Sequence, residues 1–191
     1  MTHLAIFASG TGSNAHRIIE HFRNHDSVRV ALVVSNRKAA GVLPMAESHD
    51  IPTAYVPKTE WKSPERVLGL LEAFEVDFIA LAGFLLLVPE YLVEAFPQRI
   101  VNIHPALLPK FGGKGMYGTN VHRAVEEAKE TESGITIHYV NARYDEGNVI
   151  FQATTPLAAD DSVEEIGRKV LVLEHRHYPE VLEKLLSESM P

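Results

Sequence analysis

Two rhythms of apolar residues alternate along the chain. Residues 3–8 form a short apolar run that stops at Ser9-Gly10, as a buried strand would. From Ser13 onward Ala15, Ile18, Ile19 and Phe22 recur at helical spacing with polar residues between them. The β-branched run 28–34 predicts a strand buried on both faces. Residues 39–49 read as a helix with Pro44 in its first turn, and 53–56 as a short strand. Ser63-Pro64 opens a further helix that gathers Val67, Leu68, Leu71 and Phe74 on one side. Residues 78–82 and 100–103 add two buried strands. Strands and helices alternating in this way imply right-handed crossovers and a parallel sheet covered on both faces.

The pattern changes after a helix expected over 119–129. Ile135, Ile137 and Tyr139 alternate with Thr136, His138 and Val140, and a second strand follows over 149–155. With Asp145-Glu146-Gly147-Asn148 between them, these two runs predict an antiparallel hairpin. Ser162-Val163-Glu164-Glu165 has the form of a capping box, and an amphipathic helix follows to about Leu186. The expected fold is α/β, doubly wound and Rossmann-like. Its mixed sheet is mostly parallel, with a C-terminal antiparallel hairpin and helices on both faces. No repeat or linker interrupts residues 1–191, which read as a single domain.

Composition narrows the function. With 46% hydrophobic and 23% charged residues, the 191-residue chain is typical of globular proteins. A net charge of −7 speaks against a broad nucleic-acid or membrane surface, while leaving room for a small anion held by local donors. The longest apolar stretch, 78–88, falls short of the roughly 20 residues of a membrane span and reads as buried core. The opening residues lack the basic start and long apolar core of a signal peptide, which points to the cytoplasm. There is no cysteine, and His175 and His177 would not share a helix face. No metal site is expected.

Three segments stand out chemically. Ser9-Gly10-Thr11-Gly12-Ser13-Asn14 joins the first strand to the first helix, where free N–H groups and the helix dipole favour a phosphate-sized anion. Gly10-x-Gly12-x-x-Ala15 also fits a dinucleotide fingerprint, yet the next strand ends in Ser35-Asn36-Arg37 without the ribose-binding acid. A glycine turn without a ligand is the plain alternative. In Asn102-Ile103-His104-Pro105, side chains two apart share a face at the carboxyl end of a strand, where open α/β sheets place ligands. His104 offers acid–base chemistry near neutral pH, and Asn102 an uncharged donor and acceptor. Asp145 is either a turn aspartate bonded to its own backbone or a carboxylate that raises the pKa of His104.

Taken together and in order, Ser9-Gly-Thr-Gly-Ser-Asn14, Leu81-Ala-Gly-Phe84, Asn102-Ile-His-Pro-Ala-Leu-Leu-Pro109 and Asp145-Glu-Gly147 resemble the phosphoribosylglycinamide formyltransferase family over nearly the whole chain. The resemblance implies transfer of the formyl group of 10-formyltetrahydrofolate to the amine of 5'-phosphoribosylglycinamide in purine biosynthesis, without a metal. It implies that Gly12, Ser13 and Asn14 of the N-terminal half, with Glu174, hold the ribonucleotide. Leu85, Leu86, Leu87 and Val88 would cradle the pterin, and Asn102, His104 and Asp145 would be catalytic, with His104 kept protonated by Asp145 and acting as proton donor.

The chain departs from that family in several places. The glycine-rich loop 111–118 is longer, leaving the roles of Lys110 and Lys114 open, and Leu171 stands where a polar glutamine is expected. Arg66 lies near the place of a folate-side arginine without matching it. Competing readings are a formyltransferase for another amine, an NADP-binding reductase, and a ligand-binding module without catalysis. The sequence leaves the oligomeric state open.

Overall fold

The computed structural model describes residues 1–188. Seven strands form one sheet in the order β3-β2-β1-β4-β5-β6-β7: β1 Thr2–Phe7, β2 Val28–Ser35, β3 Thr53–Tyr55, β4 Phe78–Leu81, β5 Ile100–His104, β6 Glu132–Tyr139 and β7 Val149–Pro156. Pairing is parallel from β3 to β5 and antiparallel for β5–β6 and β6–β7. The expected mixed, doubly wound sheet and its C-terminal hairpin are both present. The chain leaves β1 for β2 on one side and later returns to place β4 on the other, so β1 and β4 flank a switch point. Crevices at such points lie beyond the carboxyl ends of strands.

Period-two alternation divides the core between the two faces of the sheet. Leu4 and Ile6 of β1 pack with α1 (Ser13–Phe22), α2 (Val42–Glu47), α5 (Thr119–Glu127) and the long α6 (Val163–Glu188). Ala5 and Phe7 face the other way, toward α3 (Pro64–Ala73), α4 (Glu90–Ala95) and an aromatic group of Trp61, Phe84 and Phe96. The capping box forms as expected. Ser162 N–H donates to Glu165 Oε2 at 2.9 Å, and Glu165 N–H donates to Ser162 Oγ at 3.3 Å. Pro179 sits inside α6, where it leaves one carbonyl without its intrahelical donor.

Three readings need correction. The helix expected over 39–49 spans only Val42–Glu47, because turns at its two ends take up the rest. Helix α4 and a 3₁₀ turn over Glu60–Lys62 were not legible; in α4 only Leu92 is fully enclosed, which leaves no apolar stripe to read. The run 78–88 is not buried core throughout. After β4 the chain opens into a loop in which Leu85 and Leu86 are half-buried and Leu87 is 43% exposed, since these residues line a cleft instead of the interior. Among the described residues no helix is long and apolar enough to cross a membrane.

Candidate active site

Strand β5 ends at the centre of the site. Asn102 and His104 project from the same face, and the antiparallel register sets Asn102 opposite His138 and His104 opposite Thr136. Thr136 is fully buried and ties the following turn down: its hydroxyl donates to the Ala106 carbonyl at 2.7 Å and accepts from Leu108 N–H at 3.0 Å. Gln152 adds a bond from its amide to the Leu108 carbonyl at 3.1 Å. The chain after His104 is thereby held from the neighbouring strands.

Asp145 reaches the cluster from the β6–β7 connection. It adopts a left-handed backbone, φ 56°, which a short polar side chain tolerates better than most. Its side chain is not spent on its own turn. Oδ2 accepts from Gly113 N–H at 2.9 Å and lies 3.6 Å from His104 Nδ1, while Oδ1 lies 3.6 Å from His138 Nε2. One carboxylate thus stands between two imidazoles. Burial pushes the Asp145 carboxyl up, but the adjacent His138 and His104 rings and the Gly113 N–H outweigh it and hold its pKa below the usual value.

His104 is 3% exposed and donates from Nε2 to the Phe111 carbonyl at 2.8 Å. Here the structure corrects the expectation that Asp145 keeps the ring charged. Burial lowers the pKa of His104 and exceeds the upward pull of Asp145 and of the Phe111 carbonyl, with His138 adding a further downward push. Near neutral pH the ring therefore favours its neutral form.

Asn102, His104, His138 and Asp145 open onto a cleft of about 410 Å³ that Leu85, Leu86, Leu87 and Val88 also line. Lys114 and Arg143 also border it. Arg66 instead forms an exposed pair with Glu60 at 3.0 Å, and Lys110 pairs with Glu130 at 2.8 Å. Ser9, at the switch point, braces the leucine loop: its hydroxyl accepts from Leu85 N–H at 3.0 Å and donates to Asn36 Oδ1 at 2.5 Å.

The remaining expected residues form a second group, outside the lining of that cleft. Gly12 has φ 86°, and a Cβ there would lie 2.6 Å from Val42 Cγ2, so the turn into α1 admits glycine only. Helix α1 starts at Ser13 without a side-chain cap. Asn14 Nδ2 donates to Glu174 Oε2 at 2.8 Å, while the buried Asn14 Oδ1 has no partner among the described residues. Burial raises the pKa of Glu174 against the opposing effect of Asn14. Leu171, on the same helix, is 36% exposed and supplies no polar contact.

His138 was missed because its sequence neighbourhood shows only strand alternation. The available signal was that Thr136 and His138 occupy the face opposite Ile135 and Ile137, a buried polar pair beside a strand ending in Asn-x-His. Buried histidines also set an acid limit on folding. Burial is the first cause of the lowered pKa of His104, His122 and His175, aided by His104 for His122 and by Arg17 and His16 for His175. Below the usual histidine value of 6.5 the unfolded chain therefore binds more protons, and stability declines as pH falls toward the lowered folded values. Glu174 has the opposite sign: its contribution is complete below its ordinary pKa and is lost as pH rises through the raised one. Thermal unfolding from about pH 7 to about pH 5.5 is expected to show a falling midpoint, with a shallower fall in His122→Leu. A midpoint independent of pH in this range contradicts the balance.

Residues 2–182 match the family model described as formyl transferase. The chain is 36% identical to phosphoribosylglycinamide formyltransferase of Bacillus subtilis, across 97% of this chain and 95% of that protein. It is 45% identical to the chloroplastic phosphoribosylglycinamide formyltransferase of Arabidopsis thaliana, across 97% of this chain but only 65% of the plant protein. It likewise spans 61% of the length of the Vigna unguiculata relative. The crystal structure of the Bacillus halodurans phosphoribosylglycinamide formyltransferase superposes with a TM-score of 0.89 at 35% identity, covering 99% of this chain and 97% of that one.

Proposed function

Because this chain belongs to the formyl transferase family, we propose that it transfers the formyl group of 10-formyltetrahydrofolate to the amine of 5'-phosphoribosylglycinamide, a step of purine biosynthesis. The observation that carries the reading is the convergence of Asn102, His104 and Asp145 on one end of an apolar cleft large enough for a flat ring system. In this reading the backbone of Leu85, Leu86, Leu87 and Val88 holds the pterin. The uncapped start of α1 at Gly12, Ser13 and Asn14, with Glu174 beside it, holds the ribonucleotide phosphate and sugar. The unpartnered Asn14 Oδ1 is a buried acceptor left over for that ligand. Residues 1–191 act as one unit, with the ribonucleotide held mainly by the N-terminal half and catalysis supplied by the C-terminal half.

The amine nitrogen bonds to the formyl carbon while the carbonyl π electrons move onto oxygen. The carbon–nitrogen bond to the folate then breaks, and one proton passes from the amine to the folate nitrogen. His104 and Asn102 supply N–H donors to the developing oxyanion, which a dry site stabilises far more than water would. For His104 Nε2 to serve, the Phe111 carbonyl must release the proton it now accepts. Negative charge growing on the substrate oxygen favours the imidazolium, and Asp145 at 3.6 Å supports it, so His104 takes up the proton that the amine gives up and, as proton donor, delivers it to the folate nitrogen. No protein-bound metal takes part in this scheme.

A dinucleotide reductase built on the first glycine turn is not favoured. Asn36, at the end of β2, is engaged by Ser9, and the cluster at β5 would be left without a task. The test is an assay with purified protein, 10-formyltetrahydrofolate and 5'-phosphoribosylglycinamide. Formylated ribonucleotide and tetrahydrofolate are expected in equal amounts. A folded protein that binds the folate yet makes no product has another amine as its acceptor.

A further inference from the structure

His138 belongs to the cluster but has no part in the chemistry just described. It is 2% exposed and makes two close polar contacts of unlike kind. Nδ1 lies 2.9 Å from the Tyr139 carbonyl oxygen, and Nε2 lies 3.1 Å from Asn102 Nδ2. A carbonyl oxygen only accepts, so Nδ1 carries the proton, and in that tautomer Nε2 presents a lone pair. Only the N–H side of the Asn102 amide can satisfy it. Asp145 is farther from the same nitrogen, at 3.6 Å, beyond hydrogen-bond reach.

We propose that His138 is a positioning residue for Asn102: its Nε2 lone pair, fixed by the Tyr139 carbonyl, selects which way the Asn102 amide faces. One Nδ2 hydrogen is then taken by His138. The second Nδ2 hydrogen and the Oδ1 acceptor stay with a side chain that lines the cleft. Under the formyl-transfer reading, on which this inference rests, the N–H meets the oxyanion and Oδ1 meets a hydrogen of the attacking amine. With the amide reversed, the carbonyl dipole would point at the growing negative charge.

The Tyr139 carbonyl that accepts from His138 is closely packed. Gly147 passes so close that a Cβ there would lie 1.7 Å from the Tyr139 oxygen and 3.5 Å from His138 Nδ1. The groups facing His138 are Asn102 and His104 from β5 and Asp145 from the following turn. None of them competes for the Tyr139 carbonyl.

The experiment compares His138→Leu, which has no acceptor, with His138→Gln, whose side-chain oxygen can take the place of Nε2. In His138→Leu, kcat is expected to fall about 10²-fold, the scale of a misaligned catalytic group, with KM for the folate changed less than about threefold. His138→Gln should regain most of that loss. In an Asn102→Ala background the same Leu substitution should cost little, because the residue it positions is gone. A second readout does not depend on turnover. The Asn102 side-chain NH₂ signals, assigned by their loss in Asn102→Ala, should shift and lose protection from exchange in His138→Leu while Tm stays close to wild type. Full activity in His138→Leu overturns the proposal, as does a cost undiminished without Asn102, or coupling to Asp145→Asn in place of Asn102. Unaltered Asn102 NH₂ signals in His138→Leu overturn it too. If wild-type protein transfers no formyl group, the functional reading fails while the NMR result still decides the positioning role.

Discussion

His104→Ala is expected to retain folate binding and to lose turnover by about 10²- to 10³-fold, the usual effect of deleting one oxyanion donor. Binding should survive because the 85–88 segment that lines the cleft is held by Ser9, not by the imidazole. The measurement is kcat for formyl transfer beside a folate titration on the same preparation. Wild-type turnover in this variant would remove His104 from the mechanism. Asp145→Asn supplies the complementary test. Removing the carboxylate takes away the first of the influences that raise the His104 pKa, so burial acts with less opposition. The acidic form of His104 is then confined to lower pH, and the limb of the pH–rate profile that reports it should move to lower pH. An unmoved profile contradicts the coupling.

Gly147→Ala is the second large effect expected. A methyl group at this position would lie 1.7 Å from the Tyr139 oxygen and 2.7 Å from its carbonyl carbon, both backbone atoms of β6 that cannot swing aside. The turn must move outward instead. That movement strains the bond from Tyr139 N–H to the Asn148 carbonyl, 2.9 Å, and carries Asp145 away from Gly113 and the two histidines. A loss of about 1–3 kcal/mol in a urea titration is expected from overpacking of this kind. Turnover should fall about 10²-fold through displacement of Asp145. Gly69→Ala is the control: nothing lies within 4 Å of its added methyl, it sits in α3, and it should be neutral or stabilising by up to about 1 kcal/mol. Equal behaviour of the two variants would mean that the close approach at Gly147 has no consequence.

Much of this protein is readable along the chain, for identifiable reasons. The strands 28–34, 78–82 and 100–103 announce themselves because strands covered on both faces need unbroken apolar runs. The start of α6 is written in Ser162 and Glu165, a local exchange of hydrogen bonds that needs no distant partner. Asn102 and His104 share a face because the period of a strand is two, whatever lies next to it. The glycine at position 12 reflects a left-handed turn that is local in φ, although the clash that enforces it comes from Val42, thirty residues away along the chain.

What the tertiary structure decided is everything that depends on register and enclosure. No local pattern says that His138 faces Asn102 across an antiparallel ladder, or that Asp145 closes the gap between two imidazoles. The leucines 85–88 look like interior to a reading of hydropathy, and only the packed chain reveals them as the wall of a cleft. The ionisation of His104 is the clearest instance. A neighbouring carboxylate, inferred from sequence, argues for a charged ring, but the ring lies 3% exposed, and its desolvation outweighs that neighbour. Sequence carries the periodicities and local bonds from which elements and motifs are made. Pairing register and burial are sums over the whole fold, and they set which of those residues meet and in what state of charge.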